Sequence, residues 1–530
     1  MGYTQIMILS AGRSIVMVVF ASLPILVVLY LMIGRKWGGS KAGIIGLLVA
    51  TLIAVLLFGA GLQLLVVAWT KSILLAFFVL YIIWMALLLY HTVNEAGAIS
   101  SIGRELPGIA RDRPAQALLL AWIFGSFLQG ATGFGVPAAV VAPLLVGTGF
   151  AASTAVVVAL LGHAWAVTFG SLGSSFVSLI AATGVPGAEL AGPAAGLLTV
   201  ACLGCGLGVL WLVDHSAALR QRGLFVLILT LIMGGSQWII ARAGLWTLAA
   251  LGAGLVGLLV SITWLSKEGK SRHEHRNQFV KSHEFKLQRL LVSFFPYILL
   301  IVVVIVGQLW IPDVLDNVII NFDFPEVCTS KGWCIPAGAG RSISLFGHGG
   351  ALLLYASLLA FLWYKWRGPL ELAPSPNYSG RVIWRKTLKG MVKPTIGVYT
   401  LVAMALTMEH AGMTQLLAET LSQTGILFPF LSPFIGTLGA FMTGSNTNSN
   451  VVFGQIQRQT ALALALSVPL ILAAQTSGGA IGSLFAPAKV IVGCSTVGDA
   501  DEGRVLKEAS IAGLLIVVVI GLLVWILSVV

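Results

Sequence analysis

The sequence predicts an all-α polytopic membrane protein built from two inverted structural repeats, each holding a re-entrant hairpin and a broken helix. Three observations carry that prediction. First, the 530-residue chain is 58% hydrophobic and only 9% charged, whereas soluble domains carry about 25% charged residues. Second, apolar runs of the ~20 residues needed to cross a bilayer recur along the whole length. They lack the period-two alternation of barrel strands. Third, one short pattern occurs twice, as Gly125-Ser126-Phe127-Leu128-Gln129-Gly130 and as Gly439-Ala440-Phe441-Met442-Thr443-Gly444. Each copy leads into small or polar residues within an apolar stretch. Backbone broken in this way at membrane depth is tolerated only where it lines a cavity or is buried in protein. Paired Gly-interrupted segments in two halves of a chain point to a transporter binding site.

Charge fixes the path of each element. The first span, Ile15–Ile33, ends at Arg35, Lys36 and Lys41, so that end is cytoplasmic and the N-terminus external. No cleavable leader is expected, because this run is long, contains Pro24 and ends in basic rather than small residues. Spans Ala42–Leu57 and Leu64–Tyr90 lead to a cytoplasmic loop with Arg104, Arg111 and Arg113. The first hairpin and broken helix occupy Ala115 to Thr183. Span Ala194–Val213 returns inside at Arg220 and Arg222, and Leu224–Ile240 and Leu245–Leu265 form an external hairpin. The loop Lys267–Arg289 holds seven basic residues and is cytoplasmic. His273-Glu274-His275 within it lacks the H-E-x-x-H spacing and reads as solvated loop, with no metal site. Span Leu290–Trp310 leads to an acidic external loop, Pro312–Gly340. There Cys328 and Cys334 face an oxidising compartment and can pair, although spacing does not decide whether they do. Span Leu345–Tyr364 and a second basic loop, Lys365–Lys393, precede the second hairpin and broken helix, and Ile511–Val530 is the last span. The net charge of +12 lies in short loops between spans, which is the positive-inside signal rather than a nucleic-acid footprint.

Three anchors relate the halves at a nearly constant offset: Ala96-Gly97 with Ala411-Gly412, the two G-x-F motifs, and Gly170-Ser171-Leu172 with Gly482-Ser483-Leu484. The first copy begins beside cytoplasmic arginines, while the second begins in Pro394–Gln457, which holds no Lys or Arg. The copies therefore enter the membrane from opposite faces. This gives N-terminal scaffold spans at 1–61, a first repeat at 62–213, central scaffold spans and loops at 214–384, and a second repeat with the last span at 385–530.

The breaks supply the candidate site. Helix starts present unpaired N–H groups and a positive dipole end, which bind an anion without a buried cation. Gln129, Gly130, Thr132 and Gly133 lie at the first break; Ser445, Asn446, Thr447, Asn448 and Ser449, continued by Asn450, lie at the second. Later breaks at Gly170–Gly173 and Gln475–Gly479 bring Ser171, Gln475, Thr476 and Ser477 alongside. The bland reading is close helix packing by small residues. It suits single glycines better than the six consecutive polar residues Ser445–Asn450. Within spans, charge is a functional hypothesis. Lys489 either meets an anion or a coupling role, or snorkels to the interface. His163 either moves protons or is a satisfied structural histidine. Cys202 and Cys205 read as packing.

At these motifs the chain resembles the bacterial L-lactate permease family, which includes glycolate carriers. The matching stretches are Phe124–Phe150, Phe441–Gln457 and Ala473–Gly498, and the span layout matches over nearly the whole chain. The resemblance implies a multi-pass carrier of the bacterial cytoplasmic membrane, not an enzyme. It would take small 2-hydroxy monocarboxylates inward with protons and need no cofactor. Ser445-Asn446-Thr447 also resembles the Ser-Asn-Thr signature of sodium-coupled dicarboxylate carriers. Their fold has paired re-entrant hairpins and moves as an elevator, often as a homodimer, and this keeps Na+ open as the coupling ion. The sequence departs from the lactate-permease pattern at Gln129 and Asn446, where acidic residues are usual, and at Lys489, where an uncharged polar residue is usual. Those exchanges make a dicarboxylate or sulfonate an alternative substrate. An anion channel is the reading from a different class.

Overall fold

The computed structural model describes residues 15–35, 37–110, 112–133, 135–271, 287–374 and 378–529. Lys36, Arg111, Phe134, the stretch Arg272–Lys286 with His273-Glu274-His275, and Ser375–Asn377 lie outside the described residues.

Helices α1 (Ile15–Ile33), α2 (Gly39–Phe58) and α3 (Leu62–Glu95) come first. Left-handed Gly97 turns the chain into α4 (Ala98–Glu105). Next, α5 (Arg113–Ala117) runs through a π-helical stretch, Leu118–Phe124, into α6 (Gly125–Ala131), and α7 (Val136–Gly147) follows the first break. Asp112 starts α5 by accepting a hydrogen bond from the Ala115 amide. α8 (Ala152–Gly162) and α9 (Gly170–Thr183) are bent by 52° across their junction. α10 spans Gly187–Arg242, 56 residues. If straight it would measure about 84 Å, far more than the ~30 Å hydrocarbon core. It folds back instead at Asp214 and His215, whose backbone leaves the helical region. Gly192 meets Arg242, Gly234 meets Thr199 and Gly206 meets Val226, so its two arms run antiparallel. They correspond to the expected spans Ala194–Val213 and Leu224–Ile240.

α11 (Ala249–Ser271), α12 (Leu287–Ile305) and α13 (Pro312–Leu315) precede the acidic loop. That loop is one interrupted hairpin. β1 (Ile319–Ile320) pairs with β6 (Ile343–Ser344), β2 (Asp323–Phe324) with β5 (Gly338–Ala339), and β3 (Val327–Cys328) with β4 (Cys334–Ile335), all antiparallel. Cys328 and Cys334 stand opposite each other and are joined in a disulfide. The tip rests on the turn after α2, where the Ser330 amide donates to the Gly59 carbonyl, and Trp333 covers left-handed Gly412. The remaining helices are α14 (Gly349–Arg367), α15 (Gly380–His410), α16 (Met413–Ser422), α17 (Phe428–Thr443), α18 (Asn446–Ala463), α19 (Val468–Gly482), α20 (Pro487–Ser495) and α21 (Glu502–Val529).

Several helices run past the hydropathy boundaries into polar flanks. α15 takes in Arg381–Lys393, α21 takes in Glu502–Lys507, and α10 continues through Arg220 and Arg222, all expected as loop. Hydropathy marks depth in lipid, whereas backbone hydrogen bonding continues a helix into the polar interface. A larger difference concerns the last break. Gln475–Gly479 stays helical, and the chain unwinds at Ser483–Ala486. Pro487 explains the position, because it has no amide hydrogen and drives the preceding residue out of the α region. Ala486 is extended at φ −59°, ψ 130°. The first of the broken helices unwinds earlier than Gly170, from His163 onward.

Among the described residues, ten helices are long and apolar enough to cross a membrane. The helices, these ten together with shorter ones, gather into two bundles. α1, α2, α3, α14 and α15 pack on one another, with α12 against α14; α5 to α11 and α17 to α21 form the second, which contains every break. Its centre is aromatic, with Trp122, Phe124, Phe127, Trp165, Phe169 and Phe176 fully buried.

Candidate functional site

The second hairpin turns at Gly444, which adopts φ 67°, a conformation that favours glycine. Ser445 then caps α18, its hydroxyl accepting from the Asn448 amide at 3.3 Å. The next five residues split by helix geometry. Asn446, Thr447 and Asn450 face α9 and α19. Asn448 and Ser449 line a small cavity with Ile25, Val28 and Met404 on the side of α1 and α15.

The inward face is a closed polar cluster. Asn446 Nδ2 lies 3.1 Å from Thr168 Oγ1, 3.1 Å from the Thr476 carbonyl and 3.2 Å from Thr476 Oγ1. Asn450 Nδ2 donates to the Ser175 carbonyl and to Thr476 Oγ1, both at 2.9 Å. Ser175 and Thr447 hydroxyls lie 3.0 Å apart, and Ser178 Oγ reaches the Thr447 carbonyl at 3.4 Å. Carbonyls only accept, so the Thr476 and Ser175 carbonyls fix which end of each carboxamide carries nitrogen. Asn446 Oδ1 and Asn450 Oδ1 are therefore turned away, buried and without a hydrogen-bond partner, as is Ser477 Oγ. Buried orphan acceptors cost about 1–3 kcal/mol each and call for an explanation.

Beside this cluster Gln475 is structural. Its amide donates to Ser449 Oγ at 3.0 Å and its oxygen accepts from Gln457 at 2.8 Å, which in turn accepts from Ser432 at 2.8 Å. Gly436 and Gly478 let α17 and α19 touch backbone to backbone, since a Cβ on either would run into a carbonyl of the other helix.

The first hairpin turns with Gly133 and Gly135 in left-handed conformations. Gly133 lies against Ser171, and the Gln129 side chain lies against Gly170. Gly130 serves packing, as a Cβ there would strike the backbone of Ala250–Leu251 on α11. The Thr132 hydroxyl bonds back to the Leu128 carbonyl at 2.7 Å, within its own helix. Ser171 and Leu172 sit at φ 49° and 54°, in the left-handed region, at about 1–2 kcal/mol each.

Helix starts converge here. Gly444, at the start of α18, meets Ala486 and Ala488 at the start of α20; Gly135, at the start of α7, meets Val492 on α20; and Gly133 meets Ser171, just before the regular part of α9. Lys489 is half-buried on the first turn of α20 and donates to Ser483 Oγ at 2.9 Å. His163 is buried, its Nδ1 2.7 Å from the Ala159 carbonyl, with Lys489 as an electrostatic neighbour. Thr168, Ser175 and Ser178 were not among the expected site residues. The hydroxyl run around Gly170–Gly173 was the available signal.

The family model described as L-lactate permease matches residues 17–530. The L-lactate permease of Bacillus subtilis (strain 168) is 24% identical, over 99% of this chain and 98% of its own length. The glycolate permease GlcA of Escherichia coli (strain K12) is 26% identical, over 90% of this chain and 89% of its own. Among solved structures, the YdaH transporter of Alcanivorax borkumensis aligns at a TM-score of 0.42 and 12% identity over 84% of each chain, a likeness that carries no argument. With the match covering nearly every span, the chain belongs to the L-lactate permease family, and it is a multi-pass transporter of the bacterial cytoplasmic membrane, not an enzyme.

Proposed function

We propose that this protein is a secondary active carrier that imports small 2-hydroxy monocarboxylates, such as lactate or glycolate, together with protons. The observation that carries the reading is the meeting of several helix starts beside a buried cluster with free carboxamide oxygens on Asn446 and Asn450. A 2-hydroxy acid offers both complements. Its carboxylate suits the positive helix ends, and its hydroxyl hydrogen suits an acceptor that has no donor. Relatives named as lactate and glycolate permeases support the same substrate class.

Alternating access follows in this reading from inverted repeats. α3 to α9 and α15 to α20 share one element order: a long helix, a left-handed glycine (Gly97 or Gly412), a short helix, a hairpin turning at a left-handed glycine, then a helix broken in two. α7 has 12 residues, about 18 Å, too short for the ~30 Å core, which supports a re-entrant hairpin. We assign the break-bearing bundle as the moving part and the α1, α2, α3, α14 and α15 bundle as static, an elevator arrangement whose exposed α2 residues Leu52 and Leu56 offer a homodimer surface.

The test is uptake into proteoliposomes of L-lactate and glycolate against propionate, which lacks the hydroxyl, with and without an inward-acid gradient. Gradient-driven accumulation of the hydroxy acids with propionate excluded supports the reading. Equal uptake of propionate removes the hydroxyl argument, and accumulation unaffected by the gradient removes proton coupling. A second reading, sodium coupling, is favoured by the same two oxygens, since a hard cation takes oxygen ligands. Absolute dependence on Na+ would select it.

A further inference from the structure

A proton symporter needs a group that gains and loses its proton as the site opens to each side. The polar cluster has none. Thr168, Ser175, Ser178, Asn446, Thr447, Asn450 and Thr476 are hydroxyls and carboxamides, and Gln129 at the first hairpin is an amide as well. The coupling group therefore lies outside the cluster, and it must travel with the substrate.

Lys489 meets both conditions. It stands on the first turn of α20, in the break-bearing bundle. That helix is held between the two hairpins: Gly444 of the second meets Ala486 and Ala488 at its start, and Gly135 of the first meets Val492 a turn further on. The ammonium donates to Ser483 Oγ at 2.9 Å, inside the break itself. Asn446 Oδ1, buried and unpartnered, abuts Gly479, one helical turn before Ser483. The elements packed around α20 offer no carboxylate at this level. α7 has no titratable residue, α8 is followed by His163, and α17 has none. The charges of α21 and the turn before it, Asp499, Asp501, Glu502, Arg504, Lys507 and Glu508, lie at the far end, beyond Ser495. The His163 Nδ1 is already committed to the Ala159 carbonyl.

We infer that Lys489 is the proton carrier of this transporter: it binds the incoming acid as an ammonium paired with the substrate carboxylate, and resets as a neutral amine once the substrate has left. The inference rests on the carrier reading and deepens it. The physical reason is charge. A cation at a helix start meets a dipole of the same sign, so the two together favour a bound anion. Empty, the site would carry an uncompensated charge through the membrane, which is costly. Neutral amine when empty and ion pair when loaded avoids that cost in both states. The balance is one proton taken from outside onto Nζ, one monocarboxylate bound, and both released inside, with no net charge moved. It also accounts for a site in which Gln129 and Asn446 do not titrate. The charge and proton function sit on a residue of the opposite sign.

The test uses the full-length protein in proteoliposomes loaded with a pH dye, with L-lactate and glycolate as probes. In the wild type, an inward-acid gradient of one pH unit is expected to support about tenfold accumulation, with proton influx accompanying uptake. Lys489→Arg keeps the charge but cannot release the proton. It is expected to retain substrate exchange across the membrane while losing gradient-driven accumulation. Lys489→Gln is expected to lose accumulation and proton influx, and to keep exchange only at raised substrate concentration. A lysine that merely snorkels would leave coupled accumulation intact in both variants, and that result overturns the inference. Wild-type uptake of these acids without proton influx overturns the coupling reading itself, and no uptake of any acid overturns the carrier reading. Loss of binding in Lys489→Gln with full coupling in Lys489→Arg also overturns the proton role.

Discussion

The two hairpins carry the same G-x-F-x-x-G pattern and turn at glycines of nearly the same conformation, Gly133 at φ 66° and Gly444 at φ 67°. Their chemistry differs. Around the first turn, Gly130 and Thr132 are used up by packing and by the residue's own helix. Around the second, Asn446, Thr447 and Asn450 bond across to α9 and α19. A shared backbone break therefore does not imply shared side-chain work. Three of the seven residues of the polar cluster, Thr168, Ser175 and Ser178, come from the broken helix that follows the first hairpin, rather than from the first hairpin.

The largest test of that asymmetry is Asn446→Leu. It removes the amide donor that bridges Thr168 and Thr476, which still bond to each other at 3.0 Å, and it removes the orphan oxygen, so uptake is expected to fall by roughly a hundredfold, equivalent to about 3 kcal/mol. Next comes a matched pair, Gly133→Ala and Gly444→Ala. Each forces alanine into the left-handed region at about 1 kcal/mol. Gly133→Ala adds a collision with Ser171, whereas at Gly444 the neighbouring Ala488 Cβ is 3.7 Å away, an ordinary contact. Thermal unfolding in detergent should therefore show the larger loss at Gly133, by about 1–3 kcal/mol; equal losses would mean that the turns are equally crowded. Ser445→Ala removes the cap of α18 and should cost about 0.5–2 kcal/mol of stability in the same assay. The smallest effect is expected for Thr132→Val. The Leu128 carbonyl keeps its bond from the Thr132 amide at 2.8 Å, so stability changes by less than about 1 kcal/mol and uptake is preserved. Loss of uptake there would restore Thr132 to the site.

The β-hairpin of the acidic loop tells a similar story of partial legibility. The acidic composition of Pro312–Gly340 and its two cysteines pointed to an oxidising face, and the register that sets Cys328 opposite Cys334 was not available from their spacing. Likewise α10 read correctly as two spans, because Asp214–Arg222 interrupts the apolar run, although only two residues leave the helix.

By itself the sequence determined the membrane class, the succession of spans, the glycines at both turns and the polar identity of Ser445–Asn450. These are local properties: hydropathy, charge flanking a span, and the residues that tolerate left-handed backbone. The tertiary structure decided which side chains meet. Helix geometry sent Asn446 and Asn450 inward and Asn448 toward α1 and α15, and a proline moved the last break from Gln475–Gly479 to Ser483–Ala486. The contacts from Asn446 to Thr168 and from Asn450 to Ser175 join residues more than 270 positions apart. No local pattern specifies such a pairing, because it depends on how two broken helices pack across the bundle.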